Sequence, residues 1–450
     1  MIFKAYDIRG IVPAELDPDI AYGIGRATAH YLEADPIAVG RDARTHSPEL
    51  AEALIDGIRD EGAAVVDLGL ISTPMLYFAV DQLDASGGVM VTASHNPGQY
   101  NGFKLCREHA IPVGEASGLK EIEALCSARA RAPAVSPRGT LGVEAVVDAY
   151  VEHVLAIGSS RPKLKVAIDC GNGMAGRALV PLLERLPLEV ERLYFEPDGR
   201  FPNHEADPLK RENLEDLVQA VRRSGADFGV AFDGDGDRAC FVDEQGEPIS
   251  SDLITALLAR YQLKRSPRGR VLYDLRSSRV VAEEIGKAGG QAEMCRVGHS
   301  FVKAQMRESG AIFAGELSGH FYFRFSKTLV ADDGTAAFVA MLDVLADRGE
   351  PLSKIVAPLR RYAASGEINL RVDDVSRVLK KIESEHEDAA EISKLDGLLV
   401  RYPEWWFNLR PSNTEPVLRL NLEADTPERM ANERDLLLAR IEELGSRGRS

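Results

Sequence analysis

Three aspartates spaced by single glycines, Asp233, Asp235 and Asp237, follow directly on the apolar run FGVAF. Carboxylates at alternate positions of a loop that Gly234 and Gly236 allow to turn tightly converge on one hard divalent cation, and Mg²⁺ is the favoured ion. A calcium EF-hand would also place Glu244 at its twelfth position, but its sixth is Arg238 rather than Gly, and strand-like sequence stands where the helices belong. A second loop, TASHNPGQYNGFK (92–104), sets Ser94, His95, Asn96 and Lys104 after a strand. Polar groups there sit where α/β sheets present ligands, and a serine with a base in reach is a nucleophile or phosphate carrier. Taken alone, Ser94 and Asn96 serve equally well as turn formers.

Two further loops carry weaker signals. GELSGH (315–320) gathers Glu316, Ser318 and His320, which could bond sugar hydroxyls or simply form a strand turn. RPSNTEP (410–416) puts Arg410 beside Ser412, Asn413 and Thr414, the donor set of a phosphate site; the competing reading is a Pro-Ser-Asn turn. Gly171, Gly173 and Gly176 spell a GxGxxG after LKVAID, with Glu191 and Glu196 near the usual acidic position. The polar Asp169-Cys170 pair ahead of the glycines departs from the usual apolar approach and weighs against dinucleotide binding.

These loops need a scaffold, and the chain offers a repeated one. Short β-branched runs (36–42, 63–70, 87–94) alternate with helix-length amphipathic stretches, which argues for βαβ units and a largely parallel sheet. RARAPAVSPRG (129–139) breaks the alternation as a linker. A second round runs from LKVAID to ADFGVAFD (226–233), and a third follows EQGEP (244–248) and ends in a helix from about 334 to 347. After DRGEP (347–351) strands outnumber helices, an α+β pattern. The three rounds suggest a shared topology. This tail is expected to hinge shut over the rest and exclude water.

The 450 residues suit two to four domains, and 45% apolar with 28% charged residues is ordinary for a folded chain. A net charge of −16 argues against nucleic acid as a partner. The start, MIFKAYDIRGIVP, lacks an apolar signal region, and the longest charge-free run (85–103) is too rich in Gly and Asn to span a membrane. The odd set of Cys106, Cys126, Cys170, Cys240 and Cys295 has no metal-site or disulfide spacing, so reduced thiols and a cytoplasmic location are expected.

From FKAYDIRG (3–10) to RPSNTEP, the order and spacing of the four loops resemble those of the phosphomannomutase/phosphoglucomutase group of the α-D-phosphohexomutase superfamily. The resemblance implies three α/β domains with mixed, largely parallel sheets (1–139, 140–247, 248–355) and a C-terminal α+β domain (356–450) around a central cleft. It implies an isomerase that interconverts hexose 1- and 6-phosphates of mannose or glucose through a phosphoserine and a hexose 1,6-bisphosphate, with Mg²⁺ as cofactor. Ser94 would be the phosphoserine and, with Asp233, Asp235 and Asp237, a metal ligand. Lys104, Arg9, His95, Arg238, His299 and His320 would form the catalytic set. Tyr6, Arg276, Glu316, Ser318 and His320 would hold the sugar phosphate, and Arg410, Ser412, Asn413 and Thr414 its non-reacting phosphate. Arg276 stands where several relatives carry Lys. Phosphoglucosamine mutase is the nearest rival, but its sugar loop usually has Gln where this chain has Leu317. A phosphoserine-dependent phosphatase and a non-catalytic sugar-phosphate sensor are rivals of other classes. Sugar preference and oligomeric state are left open.

Overall fold

The computed structural model describes residues 2–33, 35–411 and 417–446. Its first three sheets share one plan. In the second, the strands Lys165–Asp169, Glu189–Leu193 and Phe228–Phe232 run parallel, and Ala239–Asp243 turns back antiparallel beside Phe228–Phe232. The third repeats this with Arg270–Asp274, Gln291–Cys295, Phe313–Gly315 and Phe321–Arg324. The first does so with Ile37–Arg41, Val65–Leu70, Gly87–Val91 and Tyr100–Arg107. Numbering these four in chain order, every sheet reads 4-3-1-2 across its width. The shared topology suggested by the three rounds is therefore present, and each sheet is mixed because its third strand feeds an antiparallel fourth.

Two short strands lie just outside the boundaries expected at 139 and 247. Leu141–Val143 pairs in parallel with Val65–Leu70 of the first sheet, and Pro248–Ile249 pairs with Ala239–Asp243 of the second. Backbone pairing decides these positions, because an edge strand left without a neighbour leaves its polar groups unbonded. The fourth sheet is antiparallel throughout: Ala363–Ala364, Leu418–Ala424, Trp405–Pro411, Leu398–Arg401 and Glu391–Ser393 lie side by side, and Ile368–Leu370 also pairs with Leu418–Ala424. The helices Val375–Glu385 and Pro427–Ser446 belong to this unit. Their residues Val378, Ile382, Leu437 and Ile441 join its core.

One apolar core joins the first three units. Met75 and Leu76 of the helix Thr73–Gln82, Tyr150 of Val147–Leu155, Leu179 of Ala175–Leu183, Leu257 of Ser251–Arg265 and Phe338 of Gly334–Arg348 all belong to it. Gly334–Arg348 is buried from Gly334 through Leu345, as a helix apolar on every side must be. Asp333 caps it by accepting the Ala336 N–H at 2.9 Å, and Ser72 caps Thr73–Gln82 through Met75 N–H. Leu275, Leu399 and Trp406 pack the third unit against the fourth, flanked by the ion pairs of Arg279 with Glu423 and Asp425. Among the described residues no helix is long and apolar enough to cross a membrane.

Candidate active site

In each of the three related sheets one loop joins the third strand to the fourth. Those loops are 92–99, 233–238 and 316–320. A parallel strand followed by an antiparallel one must reverse at the strand's C-terminal end, where α/β sheets bind ligands. Three of the four chemical loops are thus equivalent turns of a repeated unit, and packing brings them together. Thr73 N–H bonds Asp235 O, Met174 N–H bonds Gly234 O and Ala239 N–H bonds Gly319 O. Gly173 backs directly on the second loop: a Cβ there would lie 2.8 Å from Gly234 O. Gly176 faces Phe195 O equally closely. Of the three GxGxxG glycines, Gly173 therefore serves close backbone approach to the aspartate loop, and Gly176 serves approach to the backbone at Phe195.

Ser94 sits 1% exposed with φ +51°, a left-handed conformation unusual outside glycine. Its hydroxyl donates to Asp233 Oδ2 at 2.8 Å and lies 3.2 Å from His95 Nδ1. Asp233 Oδ1 accepts the N–H groups of Gly236 and Arg238. The Lys104 ammonium bridges Asp235 Oδ2 and Asp237 Oδ2, each at 2.6 Å, and Thr73 Oγ1 donates a second bond to Asp235 Oδ2, also at 2.6 Å. All three carboxylates are buried, with one oxygen of each within 4.8 Å of the others.

The electrostatics follow from this crowding. Burial and the neighbouring Asp237 and Asp235 push the Asp233 carboxyl well above its usual range. Burial opposes ionisation of Asp235 too, but Lys104 and its hydrogen bonds hold that carboxyl below the usual range. Burial works against the Lys104 ammonium, yet Asp235 and Asp237 prevail and keep it protonated far into base. Asp235 Oδ1 and Asp237 Oδ1 remain buried with no hydrogen-bond donor. Orphaned carboxylate oxygens beside a carboxyl pushed upward by its neighbours are what a divalent cation relieves, so the donor set fits a metal ion.

Around this centre stand the other expected residues. Arg238 bonds His320 Nε2 at 2.9 Å and reaches Asp233 at 3.7 Å. The other nitrogen of His320, Nδ1, lies 3.0 Å from Asp332, whose second oxygen accepts from the fully buried Lys303 at 2.8 Å. Burial, reinforced by Arg238 and Arg9, drives His95 to the neutral imidazole; burial with Lys303 does the same to His299. Arg9 pairs with Asp7 and bonds Ala93 O and the Asn96 side chain. Tyr6 packs edge-on to His299 and donates to Val297 O at 3.3 Å.

Glu316, on the loop expected to meet the sugar, accepts from Gly298 N–H at 2.7 Å and from the Tyr322 hydroxyl, while Ser318 is half-buried at the turn. Asp274 ties that loop to Arg276: one oxygen takes Leu317 N–H at 2.7 Å, and the carboxylate pairs with the Arg276 guanidinium at 2.8 Å. Arg276 in turn meets Glu367 at 3.4 Å. Arg410 approaches the same Glu367 and Asp396 at 3.9 Å each, and Arg419 joins Glu367 at 3.2 Å. Ser412, Asn413 and Thr414 lie outside the described residues. Sequence reasoning missed Thr73, Lys303, Asp332 and the Glu367 hub, because none belongs to a loop with an unusual composition.

Four family profiles match the chain in order: phosphoglucomutase/phosphomannomutase alpha/beta/alpha domains I (residues 1–132), II (148–246) and III (250–362), and the C-terminal domain (367–439). Phosphohexose mutases of Xanthomonas campestris are 42% identical over 94% of both chains. A phosphomannomutase of Escherichia coli is 40% identical over 97% of this chain and 98% of its own. The crystal structure of a phosphoglucomutase/phosphomannomutase family protein from Burkholderia thailandensis superposes with a TM-score of 0.91 at 34% identity, covering 99% of this chain and 98% of that one.

Proposed function

Because this chain belongs to the phosphoglucomutase/phosphomannomutase family and is a phosphohexomutase, we propose how its residues divide the work of interconverting hexose 1- and 6-phosphates. The convergence of Ser94 Oγ, three carboxylates and the Lys104 ammonium at one buried point carries the proposal. Ser94 bears the phosphoryl group. Attack by the free hydroxyl of the bound hexose phosphate breaks the P–Oγ bond and makes a glucose or mannose 1,6-bisphosphate. Oγ of Ser94 then attacks the other phosphoryl group of that bisphosphate, and the isomeric monophosphate leaves.

Asp233, Asp235 and Asp237, with the Ser94 oxygen, would hold Mg²⁺, which supplies Lewis-acid charge neutralisation at the transferring phosphoryl group. A phosphoserine adds about −1.5 to −2 charge, so Lys104, Arg238 and Arg9 stand as the cations that admit an anionic substrate. Lys104 serves as a charge, since its ammonium is held protonated. His320, with Nδ1 beside Asp332 and Nε2 toward Arg238, is suited to proton transfer at the sugar hydroxyl, with His299 and His95 as neutral hydrogen-bond partners. Tyr6, Arg276, Glu316 and Ser318 read the sugar, and Arg410 with Ser412, Asn413 and Thr414 holds the phosphate that does not react.

The substrates are small hexose phosphates, with neither nucleic acid nor a membrane as partner. All five cysteines are free, which suits a reducing cytoplasm. The test follows products by ³¹P NMR with Mg²⁺, a trace of glucose 1,6-bisphosphate and either glucose 1-phosphate or mannose 1-phosphate. Wild-type protein forms 6-phosphates, with relative rates that rank the two sugars, and Ser94→Ala forms none. Isomerisation undiminished in Ser94→Ala would refute the assignment.

A further inference from the structure

We infer that Arg44 is the positioning residue of the nucleophile loop: it holds Ser94 in its left-handed conformation from beneath while never reaching the cleft. The inference rests on the reading of Ser94 as phosphoryl carrier. A guanidinium has five N–H donors. Here Nε bonds Asp42 Oδ2 at 3.1 Å. Nη1 bonds Pro97 O at 2.8 Å and Tyr100 O at 3.0 Å. Nη2 bonds Ser94 O at 2.8 Å and Asn96 O at 2.6 Å. Every donor is used, and the side chain is 0% exposed. The loop is in effect wrapped around one cation.

The loop needs such a partner because it reverses the chain between two strands: the Ser94 and Asn96 carbonyls lie outside the strands, Pro97 O closes a turn with the Tyr100 N–H, and Tyr100 opens the following strand. Four inward-facing carbonyls present a concentrated negative face, and one fork-shaped cation satisfies them all. One of the four is the carbonyl of Ser94 itself, whose φ of +51° persists only where the surroundings impose it. The second unit closes the lid. The Phe201 ring lies 5.0 Å from the guanidinium, and Gly199 packs so near that a Cβ would fall 2.2 Å from Arg44 Cα. Arg44 therefore registers the serine loop against the unit that supplies the three aspartates.

The repeated architecture shows what kind of device this is. In each related sheet the first strand ends in an aspartate: Asp42 just past Arg41, Asp169 and Asp274. Each accepts the backbone N–H two residues on, from Arg44 at 3.0 Å, Gly171 at 2.8 Å and Arg276 at 2.7 Å. In the first and third units the same arginine also folds its Nε back onto that aspartate, at 3.1 and 3.2 Å. The third-unit copy stands beside the sugar loop and Glu367, whereas the first-unit copy is spent entirely on its own loop. One Asp-x-Arg turn has thus been put to two uses.

Arg44→Lys keeps the charge but offers three donors without the planar fork. We expect hydrogen–deuterium exchange of amides in residues 93–101 to accelerate while the strands on either side stay protected. We expect kcat and the rate of Ser94 phosphorylation by glucose 1,6-bisphosphate to fall about 10²-fold, since a displacement of about 1 Å costs that much. KM for glucose 1-phosphate should stay within about twofold, because the substrate-holding groups are untouched. If Arg44→Lys fails to fold, Phe201→Leu removes only the lid and should give a smaller loss of the same kind. A folded Arg44→Lys protein with wild-type exchange in 93–101 and wild-type kcat, or Phe201→Leu with neither change, would overturn the inference. Absence of phosphate uptake by the wild-type protein would instead overturn the phosphoserine reading, and accelerated exchange in Arg44→Lys would still support the clamp.

Discussion

Replacing Lys104 by Met separates two roles of the ammonium, because it should change metal affinity and turnover in opposite directions. The side chain is 6% exposed and its ammonium lies 2.6 Å from both Asp235 and Asp237. Removing one partner of a buried ion pair costs about 3–5 kcal/mol, since the remaining charge is left uncompensated. Here two carboxylates lose their cation at once, so the metal-free variant should be destabilised by at least that much. A divalent ion restores the balance. At an effective dielectric of about 20, unit charges about 4 Å apart interact by about 4 kcal/mol. Even a fraction of that gain, at 1.4 kcal/mol per decade, predicts Mg²⁺ binding at least tenfold tighter than in the wild-type protein. Turnover should nevertheless fall by 10² or more, because the charge proposed to meet the transferring phosphoryl group is gone. Calorimetric unfolding in EDTA and across a Mg²⁺ series reads the stability, isothermal titration of the ion reads the affinity, and the isomerisation assay reads the turnover. A Lys104→Met protein as stable as wild type without metal, and binding Mg²⁺ no more tightly, would refute the argument.

Asp333, at the start of the helix that backs the aspartate loop, offers a pH test. Burial pushes its carboxyl from 3.8 up to about 7, while it caps the helix Gly334–Arg348 and accepts from Tyr150. An acid with a raised folded-state pKa contributes stability that is complete below 3.8 and lost as pH rises toward 7, amounting to about 4 kcal/mol over that interval. Asp333→Asn, neutral at every pH, should match wild type at pH 4 and exceed it in chemical denaturation at pH 8; equal slopes with pH would contradict this. Gly173→Ala places a methyl 2.8 Å from Gly234 O, so it should cost about 1–3 kcal/mol and weaken Mg²⁺ binding, as titration with the ion would show. An unchanged metal affinity would mean that this glycine does not seat the aspartate loop.

The chemistry lay in the sequence where composition is unusual. DGDGDR, the Ser94 loop and GELSGH each announce themselves by glycine spacing, and the structure brings all three to one point. The parallel strands were legible too, because a strand buried on both faces is a continuous apolar run, as in Phe228–Phe232. What could not be read was the antiparallel fourth strand of the first unit, since Tyr100–Arg107 interleaves polar residues that bond across the sheet and into the site. Asn101 and Lys104 are there for their neighbours rather than for the strand. The residues that hold the proposed catalytic set were hidden for a related reason. Arg44, Thr73 and Lys303 are single polar side chains in ordinary contexts, and only tertiary packing shows that each is buried against the carbonyls or carboxylates it serves. The repeat of Asp-x-Arg in GRDAR and YDLR was the one sequence signal available for Arg44.

The central claim is that Ser94 carries a phosphoryl group between the two ends of a hexose. It is tested most directly with glucose 1,6-bisphosphate bearing ³²P in the 1-phosphate only, mixed in a rapid quench with excess dephosphorylated protein and then chased with unlabelled glucose 1-phosphate. The account predicts label on the peptide containing Ser94 within the first turnover, followed by its appearance at both the 1- and 6-positions of product. Label that never enters that peptide, or that leaves it only as inorganic phosphate, would contradict the claim.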